Sequence, residues 1–450
     1  MNSHRIKLAV AGFSALLITL SFTNCSGGPN GAGLSNSASS DPAVNPALEP
    51  ACTASSEFSE ISKARVNPAY PVYQITRVNN LRTILKSSDG GASFAPIQLP
   101  GLDPGKCGFN TFGPTELTAQ CYDGEQVDGM TNTTYYVSEN AVSGWRVVGN
   151  GMFTKGNVSS SFNSHKNHFY DPAGFLYVAA SVYLGLTPRP MPSGSPPQDV
   201  NTYGWRITRI GPTGAPAVID DFRPAGYNAS RATSVAVTPN GTLYAAGIAE
   251  KWSTATNGGS SYSTTEPTAI VRRSTDNGAT WTTILSLTQP YAWDILGVPL
   301  LAASAQGDVA FVWSHVGNSP VIGEAPVITT YQKILRAGAT NFADLDVAVR
   351  VLGFSDVEFD ENGNLVLVGR EPNTGIYMPV GAMVVYYRDG RGPLKIQYLK
   401  TGFLHSTLDL LQIHPGGRYL STGTLFTRQN DGTISGTIER ANVRLPCSVR

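Results

Sequence analysis

Four carboxylates in this chain could do acid–base work: Asp220 and Asp221 in "VIDDFRPAG", Glu324, and Glu371 beside Arg370. Hydrolysing a glycosidic bond needs two such groups about 5–10 Å apart, one protonated and one ionised. Arg223, His315 and Arg370 fall in the same set of segments and add positive charge or a titratable ring. Trp252, Tyr262, Tyr291 and Trp293 form a second set. Flat apolar rings with polar rims suit sugars and peptides, so these four could make a binding platform. Packing between loops and ordinary solvated charge fit the same residues, and no side chain is assigned a catalytic role. His165 and His168 in "SHKNHF" are three apart, but at the start of a strand that spacing turns the rings to opposite faces. No metal site is read from them. No Gly-x-Ser-x-Gly elbow and no phosphate-cradling loop is present, so no cofactor is expected.

The elements that position these residues announce themselves through a repeat. "YDPAGFLYVAA", "VTPNGTLYAAG", "SAQGDVAFVW", "FDENGNLVLVG" and "IHPGGRYLSTG" each flank a Gly turn with apolar, β-branched or aromatic residues. Glycine and asparagine tolerate the positive φ that tight hairpins require. Gly174, Gly241, Gly307, Gly363 and Gly417 fall 67, 66, 56 and 54 residues apart. A period of that length built from short strands signals radially repeated sheets. One unit reads strand, Gly turn, strand, long segment, strand, second turn, strand. The fold class expected is all-β, a β-propeller of four-stranded blades. Counting units gives seven, with six or eight open.

Such a blade sorts its connections by length. The turns between strands 1 and 2, and between 3 and 4, are short and share one face. The long segments 183–204, 250–268, 314–330 and 370–382, with the connections between blades, share the other. Long loops on a rigid scaffold carry binding residues, so the working surface belongs there. The ligand-binding candidates are Trp252, Tyr262, Tyr291, Trp293, Asp221, Arg223, His315 and Arg370.

Two turns repeat a stricter phrase, "SSDGGASF" and "STDNGATW". They resemble the Asp-box, or bacterial neuraminidase repeat, of sialidase-like β-propellers. The resemblance implies structural roles for Ser87, Asp89, Gly91 and Phe94, and for Ser274, Asp276, Gly278 and Trp281. In that family the boxes staple the third strand to the fourth, away from the active site. The family's catalytic arginine triad, Tyr–Glu pair and N-terminal Arg-Ile-Pro motif have no counterpart here. The nearest phrase, "DFRPAG", lacks the Ile and lies mid-chain.

The ends carry location. Residues 1–24 have a basic start and a short apolar core, which reads as an export signal. "SFTNC" resembles the lipobox of bacterial lipoproteins, with Phe22 and Asn24 where that motif favours Leu and a small residue. The resemblance implies lipidation at Cys25. Residues 25–60, rich in Ser, Gly and Pro, read as a tether, and 61–450 as the single propeller domain. The four remaining cysteines allow three pairings or free thiols; the preferred pairing is Cys107–Cys121 and Cys52–Cys447, the second clasping the ends. The C-terminal "IERANVRLPCSVR" is expected to complete the first blade.

Composition excludes one class of partner. Lys plus Arg total 32 and Asp plus Glu total 32, which gives no basic surplus for nucleic-acid phosphates. The expectation is an exported, monomeric, lipid-anchored propeller in the periplasm or on the cell surface. Its only tie to the membrane is the anchor, and it binds an envelope protein or glycan without catalysis. The alternative is a glycoside hydrolase or lyase with its site at the channel mouth.

Overall fold

The computed structural model describes most of the backbone from Glu57 to Arg444, and side chains chiefly between residues 85 and 421. Residues 1–56, 61–71, 98–106, 155–166, 318–326, 346–351, 373–378 and 445–450, with several shorter connections, lie outside the described residues. By contacts the chain divides into Met1–Leu48 and Glu49–Arg450, and every described residue belongs to the second unit.

All 28 described elements are strands. After β1 (Glu57–Glu60) comes a three-stranded sheet of β2 (Val72–Val78), β3 (Leu81–Ser87) and β4 (Ala95–Pro96). A four-stranded sheet follows, of β5 (Cys107–Phe112), β6 (Glu116–Val127), β7 (Met130–Ser138) and β8 (Arg146–Thr154). The next is β9 (His168–Tyr170), β10 (Leu176–Arg189), β11 (Gln198–Ile210) and β12 (Pro216–Asp220). Two further modules are β13 (Ala229–Val237), β14 (Leu243–Asn257), β15 (Ser260–Ser274) and β16 (Thr282–Thr288), then β18 (Leu300–Ala303), β19 (Val309–Gly317), β20 (Val327–Leu335) and β21 (Ala343–Asp344). The short β17 (Ala292–Asp294) joins these two modules into one nine-stranded sheet. Then come β22 (Leu352–Phe359), β23 (Leu365–Pro372), β24 (Pro379–Tyr386) and β25 (Leu394–Tyr398). The last sheet holds β26 (His405–His414), β27 (Arg418–Arg428) and β28 (Ile434–Arg444), with β1 as its fourth strand.

Every pairing is antiparallel between sequence neighbours, apart from the strands recruited by β1 and β17. The first strands β9, β13, β18, β22 and β26 touch one another in order. They therefore line a common axis, and the modules splay outward as the blades of a β-propeller.

Pleating explains why these sequences need neighbours on both sides. Alternate residues of a strand point to opposite faces. Leu365 and Leu367 of β23 pack with Leu300, Ala310 and Val312 of the preceding module. Val366 and Val368 point the other way, onto Leu408, Leu411 and Tyr419 of the last sheet. The run "LVLVG" is thus apolar without alternation because both faces are buried. The same two-sided packing fills the seams on either side of β13–β16.

Polar latches fix the register near the axis. The Ser234 hydroxyl accepts the Leu301 N–H of the next module at 2.9 Å. Asp356 holds the corresponding place in its own sheet and accepts the Leu411 N–H at 3.0 Å. Both follow bulges in their strands, after Ala232 and after Leu352. The bulge re-aims the side chain toward the neighbour. Ser230 and Ser406 do the same backward, accepting from Trp205 N–H and Gly381 N–H.

The Gly turns are four copies of one structure. In each, the glycine N–H donates three residues back: Gly174 to Asp171, Gly241 to Thr238, Gly307 to Ser304 and Gly363 to Asp360. All four glycines have φ between 78° and 88°. The turn is a three-residue one closed by a left-handed Gly, within the short lengths expected of this face. Asn240 and Asn362 therefore keep ordinary φ, and Asn277 of the "STDNG" turn is the only described non-Gly residue with positive φ. Gly417 lies outside the described residues.

Two expectations about the ends are corrected. The C-terminus does not complete the first sheet; the N-terminal β1 completes the last, pairing Glu57–Glu60 with Arg444–Ala441. The β1 residues also fall inside the stretch expected to be tether. Their alternating "EFSE" gives the outer edge of β28 a partner that composition alone concealed. Cys107 and Cys121 face one another across β5 and β6 and are joined, with S–S 2.10 Å. Cys25, Cys52 and Cys447 lie outside the described residues.

Two glycines distinguish turn strain from packing. A Cβ on Gly241 meets nothing nearer than 4.0 Å, so Gly241→Ala costs only the left-handed backbone, about 1–2 kcal/mol. A Cβ on Gly247 would lie 2.1 Å from the Arg231 carbonyl and 2.4 Å from the Trp205 ring. Urea unfolding should show Gly247→Ala costing about 3 kcal/mol or more, the larger loss of the two.

Candidate functional site

The connections expected to be long loops are mostly ladder. β10 and β11 stay paired out to Arg189 and Gln198, and β14 and β15 out to Asn257 and Ser260. β19 and β20 pair to Gly317 and Val327, and β23 and β24 to Pro372 and Pro379. These hairpins project beyond their sheets as arms, because each arm's two strands satisfy one another's backbone groups. They stand at the end opposite the Gly turns, as antiparallel order requires. β17, expected as irregular chain, stitches two arms together: Ala292 pairs with Thr265 and with Gly317, and Asp294 with Val316.

The arm of β10 and β11 presents an apolar ridge. Leu184 and Leu186 are 49 % and 60 % exposed, and the bulge between Tyr183 and Gly185 leaves Leu184 outside the paired register. Tyr183 and Tyr203 pair across the base of this arm with ring centres 6.0 Å apart. The alternation in "YLGLTPR" fits a strand, but its Gly and Pro residues give it the composition of a loop.

The arm also carries Arg189, which no expectation singled out. Its Nη2 donates to the Thr265 hydroxyl of the next arm at 2.8 Å. Its guanidinium lies 5.8 Å from the centre of the Trp252 ring, within cation–π range. Trp252 is therefore not an open platform: it is buried, with its backbone N–H on Asn228 Oδ1 at 2.7 Å. Beneath it, Glu250 accepts from Arg231 and, at 3.4 Å, from the Trp252 indole. Burial opposes ionisation of Glu250, yet Arg231, the indole and the nearby charge of Arg189 together hold its carboxyl below the usual range.

The other candidates disperse. Asp220 is buried in the seam rather than at the mouth, where Arg272 grips it with Nε at 2.9 Å and Nη2 at 3.2 Å. The Trp205 indole donates to it at 3.0 Å, and Phe222 lies 3.8 Å beneath the Arg272 guanidinium. Burial pushes the Asp220 carboxyl upward against the pull of Arg272. Asp221 is exposed but held by both Arg206 and Arg223 at 2.6 Å. Arg223 also donates to the Trp205 carbonyl and lies over Gly204, where a Cβ would meet it at 2.3 Å. His315 is fully buried against Trp313, so no ligand reaches it at this face. Its residue type suggested function, but its odd-numbered place beside Phe311 and Trp313 turns it into the seam.

Arg370 is half-buried in β23, opposite Leu352 and Gly381. Tyr262 and Trp293 are placed by backbone only, in the β15 arm and in β17. Glu371 is placed by backbone opposite Val380, while Tyr291, Glu324 and His165 lie outside the described residues. His168 is buried, its Nδ1 2.8 Å from Asn167 Oδ1. No cluster of His, Cys, Asp or Glu among the described residues could hold a metal ion.

The two Ser-x-Asp turns lie at the far end. Asp276 accepts from the Thr280 hydroxyl at 2.6 Å and N–H at 2.9 Å, and from Ser274 at 2.8 Å. Asp89 does likewise with Ser87 and Ser93. Gly278 takes φ 90° and donates to Ser274 Oγ, while Trp281 donates to the Ile219 carbonyl of the preceding sheet. Phe94 is half-buried and Gly91 lies outside the described residues. The hydrogen bonds of Ser87 and Ser93 hold the Asp89 carboxyl far below its ordinary range. Those of Thr280 and Ser274 hold Asp276 at about 2.

No family model and no curated protein matches the chain. Solved structures similar to it include a polysaccharide lyase acting on ulvan, at TM-score 0.49 and 10 % identity, covering 85 % of this chain and 92 % of that one. A putative 6-phosphogluconolactonase from Bacteroides fragilis gives TM-score 0.43 and 12 % identity, covering 84 % and 95 %. An α-L-arabinofuranosidase from Fusarium graminearum gives 0.39 and 10 %, covering 86 % and 96 %. At such values the likeness describes an arrangement of strands, and the propeller assignment rests on the pairing and packing above.

Asp276 gives a pH test. Its folded-state pKa of about 2 lies below the unfolded carboxylate value of about 4, so its stabilising effect is present above pH 4 and lost as pH falls toward 2. Acid unfolding of Asp276→Asn should show a shallower stability loss across that window than the parent chain. An identical slope would mean the carboxylate contributes nothing there.

Proposed function

We propose that this chain is an exported lipoprotein whose propeller engages a carbohydrate chain across its arm-bearing face. The observation that carries the reading is the convergence of neighbouring arms. The β10–β11 arm, with its exposed Leu184 and Leu186 and its Tyr183–Tyr203 pair, is pinned by Arg189 to the β14–β15 arm. Half-exposed aromatic and aliphatic groups beside fixed polar ones suit the two-sided chemistry of a sugar ring. Rigid arms also lower the ordering cost of binding an extended chain.

In this reading residues 1–24 are a signal, Cys25 carries lipid and the following segment is the tether. The hydrogen-bonded Ser-x-Asp turns support a likeness to Asp-box propellers, with the boxes as structural staples. The sheets, counted with the three-stranded β2–β4 and the β1-completed last one, make seven blades. A Cys52–Cys447 bridge reinforces the clasp that β1 forms on β28.

The second reading is cleavage of that carbohydrate by a glycoside hydrolase or lyase, the kind of activity described for two of the similar structures named above. The carboxylates at hand constrain it. Asp220, Asp221 and Glu250 are each held by arginine. Of the four carboxylates singled out from the sequence, Glu324 and Glu371 remain for an acid–base pair. Both readings require binding, and only the second requires turnover.

Affinity electrophoresis against a panel of neutral and acidic polysaccharides tests the shared part, with release of reducing ends or unsaturated uronates measured in parallel. Retention without release supports the binder. Release that disappears in a Glu324→Gln/Glu371→Gln double variant supports the enzyme. Absence of retention by every polysaccharide would overturn both.

A further inference from the structure

We infer that the seam between the β10–β11 and β14–β15 arms selects acidic polysaccharides, with Arg189 taking a carboxylate or sulfate group of the ligand. This inference rests on the carbohydrate reading above and adds the ligand's charge.

Arg189 has an unusual set of partners. Its contacts are the Thr265 hydroxyl and the face of Trp252, both neutral. Among the described residues it makes no ion pair, and its buried Nε–H lacks an acceptor. The neighbouring carboxylate, Glu250, feels the Arg189 charge but makes its direct contacts with Arg231 and the Trp252 indole. Two guanidinium groups therefore share one carboxylate here, in a chain whose formal charge is zero. The buried Arg272, farther along β15 toward the Asp276 turn, shows the contrast: it is matched by Asp220.

Holding a half-buried guanidinium without a direct ion pair costs desolvation energy that its neutral partners and the more distant Glu250 only partly offset. An external oxyanion would complete the set, since the guanidinium edge presents parallel N–H donors to carboxylate or sulfate. Trp252 and Thr265 act as positioning residues, fixing the guanidinium plane between the arms. The exposed Leu184 and Leu186 lie on the same arm and would cover the apolar face of the sugars flanking the charged group.

The test uses the full chain and three probes: polygalacturonate for carboxylates, dextran sulfate for sulfates, and dextran as the neutral control. Polyaspartate serves as a non-carbohydrate polyanion. The expected result is retention by one or both acidic glycans and not by dextran or polyaspartate. Arg189→Gln should weaken that retention about tenfold to a hundredfold, the loss of a charge-assisted contact. Arg209→Gln removes an equal charge near the Gly-turn end and should leave it unchanged, with melting curves recorded for both. If Arg189→Gln does not fold, Arg189→Lys replaces it, and an undiminished affinity there counts against a planar-edge contact. Retention by dextran equal to that by the acidic glycans would overturn this inference and leave the carbohydrate reading standing. Equal capture by polyaspartate, or equal loss in Arg209→Gln, would reduce the effect to bulk charge and overturn it as well. Failure to bind any glycan would instead remove the underlying reading.

Discussion

Two-sided burial is the constraint from which the rest of this molecule follows. Each central strand turns alternate residues onto two different neighbours, as Leu365 and Leu367 face one module while Val366 and Val368 face the next. No sheet can therefore be stable alone, since half of its apolar side chains would stand in water. Satisfying every sheet in turn demands a closed succession of modules around an axis. The demand is strongest near that axis, where serines and aspartates latch backbone N–H groups of adjoining sheets. A buried N–H left without a partner costs about 1–3 kcal/mol, so these latches fix register as well as stability.

The arrangement decides where chemistry can occur. Seams between modules are filled by Trp205, Trp313 and the Asp220–Arg272 pair, so charge within them serves cohesion. The short-turn end is closed by tight glycine turns and by two Asp-centred turns whose carboxylates are saturated with internal hydrogen bonds. What remains is the end where hairpins outgrow their sheets. There the backbone is rigid, because the arms are ladders and because β17 and Arg189 tie successive arms together. A face of fixed arms carrying half-exposed aromatic, aliphatic and cationic groups is suited to holding an extended chain.

The treatment of charge shows how closely this end is organised. Asp221 takes two arginines, and Glu250 takes one arginine and an indole. Exposed pairs of this kind contribute little to stability, so their arrangement bears more on what approaches the face than on what holds it together.

The sequence by itself determined the module. Gly174, Gly241, Gly307 and Gly363 announced turns because only a residue without a Cβ enters that region of φ cheaply, and periodicity near sixty residues announced repetition. It also placed Cys107 opposite Cys121, a local relation within one hairpin. Tertiary structure alone decided the fate of individual polar residues. His315 and Asp220 looked available by type, yet the pleat turned one toward Trp313 and the twist carried the other beneath Arg272. It alone decided that β1 closes the last sheet, since that pairing joins residues nearly four hundred apart. Arg189 was invisible beforehand for the same reason. Its meaning lies in Thr265 and Trp252, which no local spacing connects to it and which only the packing of two arms brings within reach.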